Sequence, residues 1–297
     1  AHGEVDALLT GEGEVSLYRL LSGMQGKTEP VLPPEGVPGM LWRTGEKGIA
    51  QVPCEPPLDL DTLPFLYAAG EDGLEHKMAY YESSRGCPMG CAYCLSSTDR
   101  NLRFRPMDRV LEEITWLAGC GVRTVKFVDR TFNADSRRAN TIWRHVAALE
   151  TDCVFHFEVL ADRLDPASME VLALAPPGRI QLEIGIQSVH RDVLTSVGRI
   201  ADPEKTSQKV MDLVAMGNLI LHLDLIAGLP GESFERFASS FDQTYRLRPA
   251  ALQTGILKIL QGTRMEQIAR QRGYRYSPVP PYRVFATDTI SAEEMYR

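Results

Sequence analysis

The feature that most constrains this chain is an alternation of short apolar runs with longer amphipathic stretches between residues 78 and 260. Runs at 79–84, 123–129, 154–160, 180–187, 219–227 and 251–260 carry the β-branched and aromatic residues of strands. The intervals 107–118, 136–149, 166–174, 203–216 and 233–247 carry helical periodicity instead. Strands alternating with helices of about ten residues or more build βαβ units, and these imply a parallel sheet. Six of them predict an α/β fold, a partial (β/α)6 barrel of the TIM type. In such a barrel the chemistry gathers at the C-terminal ends of the strands.

Directly after the first strand stand Cys87, Cys91 and Cys94, in the run R-G-C-P-M-G-C-A-Y-C, at C-x3-C-x2-C spacing. Each of the four irons of a cubane cluster binds one thiolate, so three close cysteines without a fourth leave one iron open to a small molecule. A zinc knuckle would need a fourth Cys or His nearby, and His76 precedes the triplet on the wrong side of a strand. A disulfide would leave one thiol over. Cys54, Cys120 and Cys153 lack partner spacing and read as ordinary small residues.

Two glycine-containing segments close later strands: Gly185-Ile186-Gln187-Ser188 after the fourth, and D-L-I-A-G-L-P-G-E from Asp224 to Glu232 after the fifth. Glycine there lets the backbone approach a ligand closely. The cysteine spacing, with Tyr93 just before the last cysteine, resembles the signature of the radical S-adenosylmethionine (radical SAM) superfamily. The ordered set over 79–260, with Arg199 about a helix after Gln187, resembles members related to coproporphyrinogen oxidases and methylthiotransferases.

That resemblance implies a 4Fe-4S cluster on Cys87, Cys91 and Cys94, with S-adenosylmethionine on the open iron and reductive cleavage to a 5′-deoxyadenosyl radical. It further implies cofactor contacts from Tyr93, Asp129, Glu158, Gln187, Arg199 and Asp224. Of these, Glu158, Gln187, Arg199 and Asp224 match positions that hold the methionyl and ribose parts. The chemistry is consistent, since a ribose diol suits an acidic acceptor, a carboxylate suits Arg and an ammonium suits a Glu or Gln oxygen. On the second strand the common Gly-Gly-Glu gives way to F-V-D-R-T-F-N, which leaves Asp129 and Asn133 as polar replacements. Carboxylates on apolar strands also serve as buried ion-pair partners. His156 and His222, on the strands that carry Glu158 and Asp224, fit either a substrate cavity or a structural role.

The opening V-D-A-L-L-T-G-E-G-E reads as a buried strand at 5–9, a turn and a helix through Leu21, the tail (1–21) of an α/β domain whose earlier part lies upstream. Residues 22–77 form a Pro/Gly-rich linker arm with a possible hairpin from 41–43 and 49–52. The barrel occupies 78–260, and 261–297 starts a further C-terminal segment. The first stretch, the arm with its L-D-L-D-T-L-P run and the approach to Cys87 together resemble the junction in the cobalamin-binding-domain-containing radical SAM group. No D-x-H-x-x-G cobalamin-ligating pattern occurs, so cobalamin is not assigned.

Composition bounds the partners. Hydrophobic residues at 44% and charged residues at 24% are globular values. A formal net charge of −7 argues against a nucleic-acid partner, which needs phosphates neutralised. Arg100, Arg103, Arg105 and Arg109, the densest basic cluster, read as a solvated face. No apolar run suits a bilayer and no signal segment opens the chain. Cluster thiols must stay reduced, which points to the cytoplasm. The resemblance implies an external one-electron donor such as flavodoxin or ferredoxin, and a small-molecule or peptide substrate. Three readings stand: a radical SAM enzyme of methyl transfer, rearrangement or cyclisation, a methylthiotransferase of RNA or protein, and an iron-sulfur electron-transfer protein. The last ordinarily uses four cysteines.

Overall fold

The computed structural model describes residues 5, 7–24, 36–44, 48–69 and 73–297. The chain divides into a unit ending at Leu63 and a larger one beginning at Pro64. In the smaller unit β1 (Ala7–Leu9) pairs antiparallel with β2 (Met40–Thr44), which pairs antiparallel with β3 (Gly48–Gln51); α1 (Gly13–Gly23) follows β1. The expected hairpin is therefore β2–β3. Its turn at 45–47, and Gly26, Pro30, Pro33 and Pro34 of the arm, lie outside the described residues. The expectation of a buried first strand is corrected: β1 is the edge of a three-stranded sheet, and Leu8 is 58% exposed.

The larger unit begins with β4 (Met78–Tyr81), a two-residue pair β5 (Ser84–Arg85) and β6 (Arg103–Phe104), and α2 (Met107–Gly119). There follow β7 (Thr124–Phe127), α3 (Ser136–Ala148), β8 (Val154–Val159), α4 (Pro166–Ala173), β9 (Ile180–Gln187), α5 (Arg191–Ser196) and α6 (Pro203–Met216). Next come β10 (Ile220–Ala227), α7 (Phe234–Arg246) and β11 (Ala251–Ile256). The main strands lie in the order β4-β7-β8-β9-β10-β11, all parallel, each beside its predecessor in sequence. β4 and β11 are the two edges, so the six-strand α/β barrel is open.

Local chemistry sets the helix starts. Asp135, Asp165, Asp202 and Ser233 each accept a backbone N–H of the first turn, and Pro166 and Pro203 follow where a missing N–H costs nothing. Gly217, at φ +73°, ends α6 in the left-handed conformation.

The strands separate two environments. On one face Phe127, Phe155, Phe157, Ile180, Leu182, Ile184, Leu221, Leu223 and Leu225 pack against the helices, with Phe132 and Phe157 in ring contact with each other and with both Phe127 and Trp143. On the other face β9 carries Gln181, Glu183, Gly185 and Gln187, and β10 carries His222 and Asp224, all half-buried. A parallel strand covered on both faces is apolar throughout, so this alternation marks a polar interior surface.

Two strands end three or more residues short of expectation, and the C-terminal segment belongs to the larger unit. β4 stops at Tyr81, because the Asp129 carboxylate takes the Ser83 N–H and both the Ser83 and Ser84 hydroxyls and turns the chain aside. β11 stops at Ile256. Residues 261–297 fold onto the larger unit as α8 (Arg264–Gln271), the pair β12 (Arg275–Tyr276) and β13 (Val284–Ala286), and α9 (Ala292–Met295). Their Met265, Ala269, Val284, Ile290 and Met295 make a second apolar core with Ala92, Val197, Leu229 and Leu257.

Candidate functional site

The cysteine loop leaves β5 at the C-terminal end of the sheet and is fixed through its backbone. Gly86, at φ +95°, allows the turn, the Cys87 N–H donates to Asp99 O at 2.9 Å, and the Ala92 N–H donates to Val197 O at 2.7 Å. The Met265 N–H at the start of α8 donates to Ala92 O at 2.9 Å, so the C-terminal segment clamps the loop from the other side. Gly198, at φ +67°, sits where a Cβ would come within 2.9 Å of Gly90 O. Any side chain there would push the loop away.

A cavity of about 190 Å³ opens between this loop and the strand ends. Cys87, Cys91, Cys94, Tyr93, Glu158, Gln187, Arg199 and Asp224 all line it, eight of the nine residues singled out from the sequence. Cys87 and Cys91 are buried and Cys94 is half-buried. Among the described residues no three His, Cys, Asp or Glu side chains already form a single-ion cage. A cubane binds its thiolates on separate irons, so three cysteines that line one cavity without forming a single-ion cage suit a cluster.

The ninth residue is elsewhere. Asp129 is 1% exposed and does not line the cavity; three donors from Ser83 and Ser84 occupy its oxygens. Asn133, at 2% exposure, clamps the Leu160 backbone by accepting its N–H and donating to its carbonyl, both at 2.9 Å. Both polar replacements on the second strand are therefore structural, and the expected cofactor contact from Asp129 is corrected. Arg105, predicted on a solvated face, is buried in a two-point ion pair with Glu113.

Tyr93, Gln187 and Arg199 line the cavity with a buried polar atom each; the Gln187 Oε1 meets no protein partner, whereas Tyr93 lies against Arg199 and Cys91. Unpaired buried polar atoms are rare and call for a ligand. Gln187 reaches its place through strain, since it holds φ +66° beyond a bulge in β9, where the register against β10 jumps from Asp224↔Gly185 to Leu225↔Gln187. The next residue is tethered: Ser188 Oγ donates to Glu232 Oε1 at 2.6 Å, and Ser240 Oγ donates to the same oxygen at 3.0 Å. Glu232, wholly buried at the end of the L-P-G-E run, thus anchors the bulge.

Sequence reasoning passed over Glu183, which lines the cavity at the centre of its acidic wall. Its Oε2 stands 2.9 Å from His156 Nε2 and pairs with Lys126 Nζ at 3.3 Å. The His156 ring, with Lys126 beside it, holds this carboxyl down at about 2. Burial and then the Glu183 charge push Glu158 up to about 7 and Asp224 up to about 6. Arg130 at the rim stands 3.9 Å from Glu158. His156 and His222 do not line the cavity; His156 supports Glu183, and His222 meets the Gln181 amide at 3.2 Å. The alternation of β9 carried the signal for Glu183, because it shares a face with Gln187.

The family model of the Radical SAM superfamily matches residues 81–243. The chain is 26% identical over 287 residues to an uncharacterised methyltransferase, PH0819, of Pyrococcus horikoshii, covering 89% of this chain and 58% of that protein. It is 29% identical over 204 residues to the ribosomal protein uS12 methylthiotransferase RimO of Paramagnetospirillum magneticum, covering 62% and 45%. The chain thus spans about half the length of the curated relatives it matches. Among solved structures, the radical S-adenosylmethionine methyltransferase TsrM of Kitasatospora setae, with tryptophan and a SAM analogue bound, superposes with a TM-score of 0.71 at 18% identity, over 93% of this chain and 57% of that one. TsrM is also known with cobalamin and a [4Fe-4S] cluster bound. Among the described residues no helix is long and apolar enough to cross a membrane. With more than half of its length matched, this chain belongs to the radical SAM superfamily, enzymes that work with a 4Fe-4S cluster and S-adenosylmethionine.

Proposed function

We propose that Cys87, Cys91 and Cys94 hold the 4Fe-4S cluster with one iron open, that the neighbouring cavity holds S-adenosylmethionine, and that the enzyme cleaves it reductively for a methyl-transfer reaction. One observation carries this reading: the three cysteines share one cavity with Tyr93, Glu158, Gln187, Arg199 and Asp224. When bound, the cluster and S-adenosylmethionine supply a one-electron cleavage of a C–S bond that yields a 5′-deoxyadenosyl radical.

The chain's own residues bind, orient and exclude water. Arg199 Nε is a donor for the methionyl carboxylate, Gln187 Oε1 an acceptor for its ammonium, and Glu158 and Asp224 acceptors for the ribose hydroxyls. Glu183, kept ionised by His156 and Lys126, offers a permanent negative charge to a cationic ligand. The electron comes from an external one-electron donor protein. Methyl transfer is favoured by the names of PH0819 and TsrM, and the bound cobalamin of TsrM makes cobalamin a candidate partner here. A methylthiotransferase is the second reading, favoured by the RimO relative.

The test is anaerobic reconstitution followed by dithionite and S-adenosylmethionine. The expected products are 5′-deoxyadenosine and methionine, and replacing the three cysteines together by Ala removes both iron and products. The reading fails if the triple variant keeps its cluster. It also fails if S-adenosylmethionine changes neither the products nor the electron paramagnetic resonance spectrum of the reduced wild type.

A further inference from the structure

We infer that Arg199 couples S-adenosylmethionine binding to the reduction potential of the cluster, by holding one arm of its guanidinium against the sulfur of Cys91 while another donor serves the ligand cavity. This rests on the assignment of Cys87, Cys91 and Cys94 as cluster ligands.

The placement is built into the backbone. Residues 197–199 are stitched to the cysteine loop by the Ala92 N–H to Val197 O bond at 2.7 Å and by the close approach of Gly198 to Gly90 O. Arg264 Nη1 donates to the same Gly90 carbonyl at 3.3 Å, so the loop is held from two sides where Arg199 meets it. From this seat Arg199 Nη1 stands 3.8 Å from Cys91 Sγ, within reach of a hydrogen bond to sulfur. Nη2 donates to the Gly185 carbonyl, which fixes the plane of the fork against β9. Gly185 tolerates this because a Cβ there would strike the Gln187 amide and come within 3.5 Å of Nη2. Nε is buried with no hydrogen-bond partner of its own, and Arg199 lines the cavity beside Tyr93.

A guanidinium keeps its charge and presents its donors as a rigid fork. Reduction adds negative charge to a cluster, and a cation bonded to one of its ligand sulfurs stabilises the reduced state more than the oxidised one. Hydrogen bonds to the sulfurs and local charge are among the factors that set such potentials. A ligand that accepts from Nε shares the same fork and offsets part of its charge, so ligand binding and reduction influence each other, and the coupling is reciprocal. Arg199 thus acts on the electron-transfer step as well as on binding.

The experiment compares reconstituted wild type, R199Q and R199K by iron content and by redox titration followed by electron paramagnetic resonance, with and without S-adenosylmethionine. Equal iron content is expected. At a solution potential set to the wild-type midpoint, the reduced-to-oxidised ratio of R199Q should fall about tenfold, which corresponds to about 59 mV for a one-electron couple. R199K, which keeps the charge but loses the fork, should shift in the same direction by less. The change in midpoint on adding S-adenosylmethionine should shrink in both. A fully loaded R199Q with the wild-type midpoint and the wild-type response to S-adenosylmethionine overturns the inference and leaves the ligand assignment standing. If R199Q does not assemble a cluster, R199K decides alone, and a wild-type midpoint there overturns it. A C91A variant that keeps the full iron content and spectrum overturns the ligand assignment and this inference together.

Discussion

The two faces of β9 differ in what they are for. Ile180, Leu182, Ile184 and Ile186 are buried against the helices, whereas Gln181, Glu183, Gly185 and Gln187 alternate with them on the interior face, three of the four at the cavity. Stability comes mainly from the first set, through apolar area removed from water. The second set carries costs instead: a strained backbone and a partnerless amide oxygen at Gln187, and at Glu183 a charge that, after burial, raises Glu158 and Asp224 on the neighbouring strands. Substitutions on the helix face should therefore act on folding, and those on the interior face on binding.

The largest expected effect tests the first half of that contrast. Phe157 is fully buried and touches Phe127, Phe132 and Trp143, so Phe157→Ala should cost about 3–5 kcal/mol of stability in chemical denaturation. A loss below about 1 kcal/mol would show that the aromatic cluster is not the core of the unit.

The second half predicts the opposite for Asp224→Ala. Loss of a charged hydrogen-bond partner should weaken S-adenosylmethionine binding by about 1.5–3 kcal/mol in calorimetry, with the denaturation midpoint unchanged or raised. Unchanged affinity would return Asp224 to the scaffold.

A smaller, pH-dependent effect sharpens the comparison. Glu158 titrates near 7, so a ligand needing its ionised form should bind about tenfold more weakly at pH 6 than at pH 8. The ligand-free protein should respond in the reverse sense. The folded state holds the Glu158 and Asp224 protons more tightly than the unfolded chain, so stability is lost as pH rises from the ordinary carboxylate range to about 7. Glu158→Gln should flatten the binding dependence and leave only the Asp224 share of the stability dependence. Glu183, held down at about 2, contributes stability that is present above about 4.5 and is lost as pH falls toward 2.

The smallest effect is a control remote from both faces. Asp202 caps α6 by accepting the Lys205 N–H at 3.1 Å, and Asp202→Ala should cost about 1 kcal/mol of stability without changing S-adenosylmethionine affinity. A change in affinity would mean that binding follows global stability and that the two faces are not separable.

Much of this was legible along the chain, because it rests on local periodicity. The βα alternation predicted the six parallel strands in their order, with 180–187 and 203–216 matching β9 and α6 at both ends. The cysteine spacing, and the radical SAM resemblance that it and the later strand-end motifs carried, pointed to eight residues that share one cavity. Asp129 misled because its neighbours in space are Ser83 and Ser84, more than forty residues earlier, and their donors decide what its carboxylate does. Glu183 was missed for a related reason: an acid on a strand is unremarkable until His156 and Lys126, from two other strands, are seen to hold it ionised.

By itself the sequence determined the class of fold and the order of its elements, since these follow from side-chain period and residue type, while the groups able to do chemistry were named through the family resemblance of its motifs. Tertiary structure alone decided which polar residues face a ligand and which are spent on the scaffold. It placed the bulge that turns Gln187 into the cavity, the Glu232 anchor behind it, the C-terminal segment that clamps the cysteine loop, and the approach of Arg199 to Cys91. Each of these depends on a hydrogen bond or a close contact between segments far apart in the chain, and no local pattern encodes where such partners meet.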